Sequence, residues 1–176
     1  MVSIANRRSK TMNIYLVRHA IAEAQNVSIV DDAARALTPE GIRKMQRIAR
    51  ALAKLGVAPD EIWTSPLVRA RQTAELLVAG LDRIVPIETT ASLAPEGDFD
   101  GVIRQLAARS SLVGVALVGH EPQMGQFAGF LLTGTRMADV RFKKGGVALI
   151  EVDHWDTPIR GSLRWLLTPR QMLQMA

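Results

Sequence analysis

Apolar and polar positions alternate along the chain in two kinds of run, one suited to strands and one to helices. "MNIYLV", starting at Met12, is a short continuous apolar run of the kind a buried strand requires. After a polar loop, "LTPEGIRKMQRIARALAKLG" repeats Ile42, Met45, Ala49 and Leu52 at helical spacing. Thr38 is placed to cap this helix, Pro39 fits its first turn and Gly56 stops it. "EIWT" reads as a short strand, and "SPLVRARQTAELLVAG" as a helix capped by Ser65 with Leu67, Ala70, Ala74 and Leu77 facing inward. "RIVPIE" predicts another strand, and "APEGDFDGVIRQLAARS" a helix that starts near Asp98 and buries Phe99, Val102 and Leu106. "LVGVALVG" is the most continuously apolar strand and runs into "HEPQMGQFAGFLL", a helix after Pro122. "VRFKKGGVALIEVD" and "GSLRWLLT" read as strands joined by turns, and Trp63, Trp155 and Trp165 as core or sheet-packing residues. Strands alternating with helices, with no linker or repeat between them, predict one α/β domain over residues 12–176, built on a mainly parallel central sheet flanked by helices.

Composition narrows the class of protein. At 176 residues and 48% hydrophobic the chain suits one core, and charges interrupt every apolar stretch well before the roughly 20 residues of a bilayer crossing. With no cysteine, disulfides, thiolate metal sites and cysteine nucleophiles are excluded together, which is compatible with a reducing cytoplasm. Residues 1–11 read as a flexible basic tail, or as a segment ahead of a true start at Met12; no signal-type apolar run follows Arg7 and Arg8. The net charge of +5 raises nucleic acid as a partner. Three of those charges, however, are Arg7, Arg8 and Lys10 in the tail. Arg43, Lys44, Arg47, Arg50 and Lys54 share one helix, which fits a solvated face first, and an acidic protein partner or nucleic acid after that.

In sheets of this type ligands collect beyond the carboxyl ends of the strands. Arg18 and His19 follow the first strand at once, His120 follows the most buried strand, and Arg69 lies in the first turns of the helix after "EIWT". Singly, each has an ordinary explanation. Together they place two histidines and two arginines on one rim. Arg69 also opposes the helix dipole there by a few tenths of a kcal/mol, a sign that a bound anion would reverse. A phosphoryl group suits the set: arginine forks engage its oxygens, a neutral imidazole attacks it, and a second, protonated histidine donates to it. Gln72 and Thr73, three and four positions after Arg69, share its helix face and come within reach of the same place. The proton donor for an alkoxide leaving group is sought among Glu23, Glu96 and Asp98, Asp98 being also the natural N-cap of its helix. Glu121 reads as solvated, and His154 in "VDHWD" as a surface histidine without metal-ligand spacing.

"LVRHA", "ALTPEG", "TSPLVRARQTA", "LAPEGD" and "LVGHEP", in this order, resemble the signature segments of the histidine phosphatase (phosphoglycerate mutase-like) superfamily, and the set resembles its small SixA-like phosphohistidine phosphatase branch. The likeness runs from about Met12 to the C-terminal strands. It implies a phosphoglycerate mutase-like three-layer α/β/α fold and catalysis without metal or cofactor. It also implies a nucleophile at His19 that is transiently phosphorylated, with Arg18, Arg69 and His120 as the phosphate pocket. Ala20 stands where many members have glycine, and Gln25 where mutases carry a polar pocket residue, often asparagine; the latter departs from a mutase. The leading expectation is a cytoplasmic phosphohistidine phosphatase that binds a phosphorylated substrate through its oxyanion, in a histidine-phosphorylated protein. A phosphatase of small phosphomonoesters and a noncatalytic phosphate-binding or protein-interaction module are the alternatives. No membrane partner is expected, and nucleic acid is disfavoured.

Overall fold

The computed structural model describes residues 11–25, 31–109, 111–138, 140–155 and 159–176; the side chain of His154 lies outside that description, as does all of the expected tail except Thr11. Its strands and helices run β1 (Met12–Arg18), α1 (Pro39–Lys54), β2 (Glu61–Thr64), α2 (Val68–Gly80), β3 (Ile87–Thr89), α3 (Phe99–Ala108), β4 (Gly114–Gly119), α4 (Gln123–Thr133), β5 (Val147–His154), β6 (Arg160–Leu167) and α5 (Pro169–Met175). The strands form one mixed sheet in the order β3-β2-β4-β1-β5-β6. Pairings among β3, β2, β4 and β1 are parallel; β1 with β5 and β5 with β6 are antiparallel.

Alternation along β1 builds the layers. Ile14 and Leu16 face one core with Trp63, Leu117, Leu106 and Phe127, so α3 and α4 cover that side. Tyr15 and Val17 face the other, with Met45, Leu52, Ala74, Leu77 and Met172 from α1, α2 and α5. A sheet buried on both faces explains why β4 is apolar throughout, every one of its residues being buried. No helix among the described residues is long and apolar enough to cross a membrane.

Local chemistry sets most boundaries as expected. Thr38 accepts a hydrogen bond from Gly41 N–H at the start of α1, and Gly56 turns the chain away at φ 76°. Four readings change. The N-cap position of α2 is Leu67, half-buried and without a side-chain cap, rather than Ser65. "RIVPIE" keeps only a short edge strand, because Pro86 has no N–H to donate to a ladder. The strand expected from "VRFKKGGVALIEVD" begins at Val147, since Gly145 at φ 78° makes a turn in which Gly146 N–H donates to Lys143 at 2.7 Å. Finally, "TPRQ" opens the unforeseen α5: the Thr168 hydroxyl and the Gln171 side chain cap each other's backbone, with Pro169 in the first turn.

Candidate active site

The register of the central strands brings the rim together. Arg18 lies opposite Gly119 in the parallel β1–β4 ladder, and His19 N–H donates to Gly119 at 3.0 Å, so the residues that follow, His19 and His120, emerge side by side. Their ring centroids are 5.0 Å apart, inclined at 53°. On the other flank of β4, Ser65 N–H donates to Val118 at 3.0 Å, which sets the Ser65 hydroxyl against His120.

Each histidine has a defined tautomer. His19 Nδ1 lies 2.7 Å from the carbonyl oxygen of Ala20. A carbonyl only accepts, so the proton sits on Nδ1 and Nε2 carries the lone pair. Burial, 6% exposure, pushes the His19 pKa down to about 4; the charges of Arg69, Arg18 and Lys144 push the same way against the hydrogen bond to Ala20. The ring is therefore a neutral base at neutral pH. His120, 2% exposed, has Nε2 at 2.8 Å from the Ser65 hydroxyl. Leu67 N–H donates to that hydroxyl at 3.3 Å, and among the described residues the hydroxyl hydrogen has no acceptor other than His120 Nε2, which assigns the ring proton to Nδ1. Burial first, then the neighbouring His19 and Arg69, lower the His120 pKa to about 3. Burial thus favours the neutral form of His120, in which Nδ1–H remains a donor.

Among the described residues, buried polar side-chain atoms without a protein partner include His120 Nδ1, Arg18 Nε and Arg69 Nε. Left unpaired, each such donor costs about 1–3 kcal/mol. Three of them on one rim make a cradle for an oxyanion. Arg18 is fixed by donating from Nη1 to the Phe142 carbonyl at 2.6 Å. Arg69, 3% exposed, donates from Nη1 to the Asp32 carbonyl at 2.7 Å and from Nη2 to its carboxylate at 2.9 Å. The other carboxylate oxygen of Asp32 takes Arg35 Nε at 2.7 Å, while Arg35 Nη1 donates to the Glu23 carbonyl at 2.8 Å. Desolvation opposes ionisation of Asp32, but the bonds from Arg69 and Arg35 outweigh it and hold its carboxyl below the ordinary range.

Residues 14–111 match the family model described as Histidine phosphatase superfamily (branch 1). The chain belongs to this superfamily. An uncharacterised protein of Picosynechococcus sp. (strain ATCC 27264 / PCC 7002 / PR-6) is 36% identical over 141 residues, which cover 77% of this chain and 82% of that protein. The phosphohistidine phosphatase SixA of Escherichia coli (strain K12) is 26% identical over 160 residues, 90% of this chain and 94% of SixA. The structure of the protein histidine phosphatase SixA complexed with tungstate superposes with a TM-score of 0.80 at 25% identity, covering 90% of this chain and 98% of that one. This histidine phosphatase is accordingly a phosphatase hydrolase of SixA-like architecture.

The remaining candidates separate by position. Thr73 is buried and ties α2 to the rim, its hydroxyl donating to the Arg69 carbonyl at 2.7 Å and accepting from Ala20 N–H at 3.1 Å. Gln72 is engaged elsewhere: its side-chain oxygen accepts Leu37 N–H at 2.7 Å and anchors the segment entering α1. Asp98 occupies the N-cap position of α3 without a capping bond and pairs with Arg104 at 2.7 Å. Its carboxyl is held below the ordinary range, first by the nearby Gly101 backbone N–H and also by Arg104, against desolvation. Glu96 is exposed on the loop before it, and Glu23 is half-buried after β1. Glu121 is not a solvated side chain, since its carboxylate accepts Phe142 N–H at 2.7 Å and so supports the carbonyl that holds Arg18. Gln25 is exposed. Among the described residues no cluster of histidine, aspartate or glutamate is arranged to hold a metal ion.

Asp32, Arg35 and Ser65's contact with His120 escaped the sequence reading. The acidic and basic residues of "DDAAR" were the available signal for the first two; nothing local pointed from Ser65 to a histidine 55 positions away.

Proposed function

We propose that this phosphatase hydrolyses phosphohistidine in a protein partner through a phosphorylated His19. The observation that carries the reading is the pairing of a neutral His19, its lone pair on Nε2, with three buried unpaired donors from Arg18, Arg69 and His120. The complex of the similar SixA with tungstate, a phosphate-like oxyanion, supports oxyanion binding. In the first step His19 Nε2 attacks phosphorus. The new P–N bond forms as the P–N bond to the substrate imidazole breaks, and that imidazole leaves with its proton. Arg18, Arg69 and Nδ1–H of His120 hold the nonbridging oxygens as charge redistributes. Water then attacks phosphorus, the bond to Nε2 breaks, and phosphate departs from a neutral His19.

The states of Asp32 and Asp98 suit a phosphoramidate substrate better than an ester. Asp32 against Arg69 and Asp98 at the start of α3 are both displaced toward the ionised form, the wrong state for protonating an alkoxide. An imidazole leaving group makes a smaller demand on an acid. The test is phosphate release from a phosphohistidine peptide and from an aryl phosphate, with a chelator present, by wild type and His19→Ala. Turnover of phosphohistidine that is lost in the variant is the expected result. Turnover of the aryl ester alone would instead make the enzyme a small-molecule phosphatase.

A further inference from the structure

Beside the catalytic rim, on the α1/α5 side of the sheet, lies a groove of about 930 Å³ that the phosphatase chemistry above does not use. It shares Arg18 and Ala20, the residues either side of His19, with the active site. Ile21, Pro169 and Leu173 line it half-buried, over a floor sealed by the buried Met45 and Ile48. Lys44, Lys143, Lys144 and Arg170 complete its walls, and among the described residues no acidic one lines it. Lys44 is paired with Glu40 on its own helix. Lys143, Lys144 and Arg170 have no ion-pair partner among the described residues, and Lys143, Lys144 and Arg170 are exposed. The aliphatic stems of lysines extend the apolar wall while their ammonium groups stand at its edge. The cations come from three separate elements, α1, the turn before β5 and α5, so they are spread more widely than one small anionic head group can engage. A second copy of a chain with net charge +5 is a poor match for such a rim.

We propose that this groove is the docking surface for an acidic amphipathic helix of the phosphorylated protein partner, with apolar side chains seated against Ile21, Pro169 and Leu173 and carboxylates against Lys143, Lys144 and Arg170. The partner is the histidine-phosphorylated substrate proposed above, and its docking rests on that reading. A helix laid in a groove gains affinity from apolar anchors one turn apart, and flanking charges give it orientation and association rate. Docking here brings a substrate to the two residues that bracket the nucleophile.

The test uses the full chain and a fluorescein-labelled helical peptide of about four turns that carries leucines on one face and glutamates beside them, together with a matched peptide carrying lysines for glutamates. Anisotropy titrations compare wild type with K143E/R170E, while turnover of free phosphohistidine and the melting temperature are followed on both proteins. The expected result is micromolar binding of the acidic peptide alone, weakened at least about tenfold by the double variant and by raising salt from about 50 to about 200 mM, with turnover of free phosphohistidine unchanged. Equal binding of the two peptides, or acidic-peptide binding unchanged in the variant, overturns the docking surface. Saturable binding of dodecanoate with no binding of the peptide overturns it too, in favour of a small amphiphile. Intact turnover with no peptide binding fails the docking alone; peptide binding as expected without turnover of phosphohistidine fails the substrate assignment alone.

Discussion

Lowering the pH from 7 to 5 should destabilise this phosphatase through its active site. His19 and His120 have folded pKa values of about 4 and about 3, depressed chiefly by burial, against 6.5 for an ordinary histidine. A histidine with a depressed folded value contributes full stability above its unfolded value and loses it as pH falls toward the folded one, because only the unfolded chain takes up the proton in that window. Integrating the proton difference between pH 7 and pH 5 gives roughly 2 kcal/mol for each ring, about 4 kcal/mol for the pair. Against a typical total of about 5–15 kcal/mol, that is a large fraction. The carboxylates do not compete for the explanation: Asp32 and Asp98, with lowered values, titrate below this range. The only other histidine is His154.

Urea unfolding at constant ionic strength, followed at pH 7, 6 and 5, measures the effect directly. His19→Gln/His120→Asn removes both titrating rings and should flatten the profile to whatever His154 contributes. Saturating inorganic phosphate, which favours the protonated rings, should flatten it in the wild type as well. A wild-type stability that changes by less than about 1 kcal/mol between pH 7 and 5, or a double variant that keeps the wild-type slope, refutes the assignment of both rings as neutral and buried.

Three further outcomes are expected. Ser65→Ala should lower kcat on a phosphohistidine peptide about tenfold with a smaller change in KM, since one buried hydrogen bond of about 1–2 kcal/mol fixes the proton of His120 on Nδ1; an unchanged kcat would show that Ser65 does not select the tautomer. Gly41→Ala should cost about 1–3 kcal/mol in urea unfolding, or more, because a Cβ there would lie 2.1 Å from the Ile21 carbonyl oxygen and push α1 off the loop after His19. Of Glu23→Gln and Glu96→Gln, the variant that removes a proton donor should lose about 10²-fold or more on an alkyl phosphate and much less on phosphohistidine; equal small effects on both substrates exclude both residues from that role.

The order of strands and helices could be read from the chain because those signals are local. The apolar runs of β1 and β4 and the Thr38–Pro39 start of α1 each depend on a few neighbouring residues, and the rule that ligands gather at strand ends then placed Arg18, His19, Arg69 and His120 on one rim. Short or interrupted elements were harder to read. The seven residues of α5 offer few apolar repeats, and Pro86 cut the third strand inside a run that looked extended. Side-chain partners could not be read at all. Asp32 and Arg69 are 37 positions apart, Ser65 and His120 55, and Arg18 and Phe142 124.

By itself, then, the sequence determined which arginines and histidines share a rim and on which side of the sheet they emerge, since backbone propensity and hydrophobic period act over one or two turns. Only the tertiary structure decided their states. The β1–β4 register set His19 beside His120, burial made both rings neutral, the Ala20 carbonyl and the Ser65 hydroxyl chose their tautomers, and Asp32 fixed Arg69. Desolvation and hydrogen-bond partnership are properties of neighbours in space, and neighbours in space are what chain order does not specify.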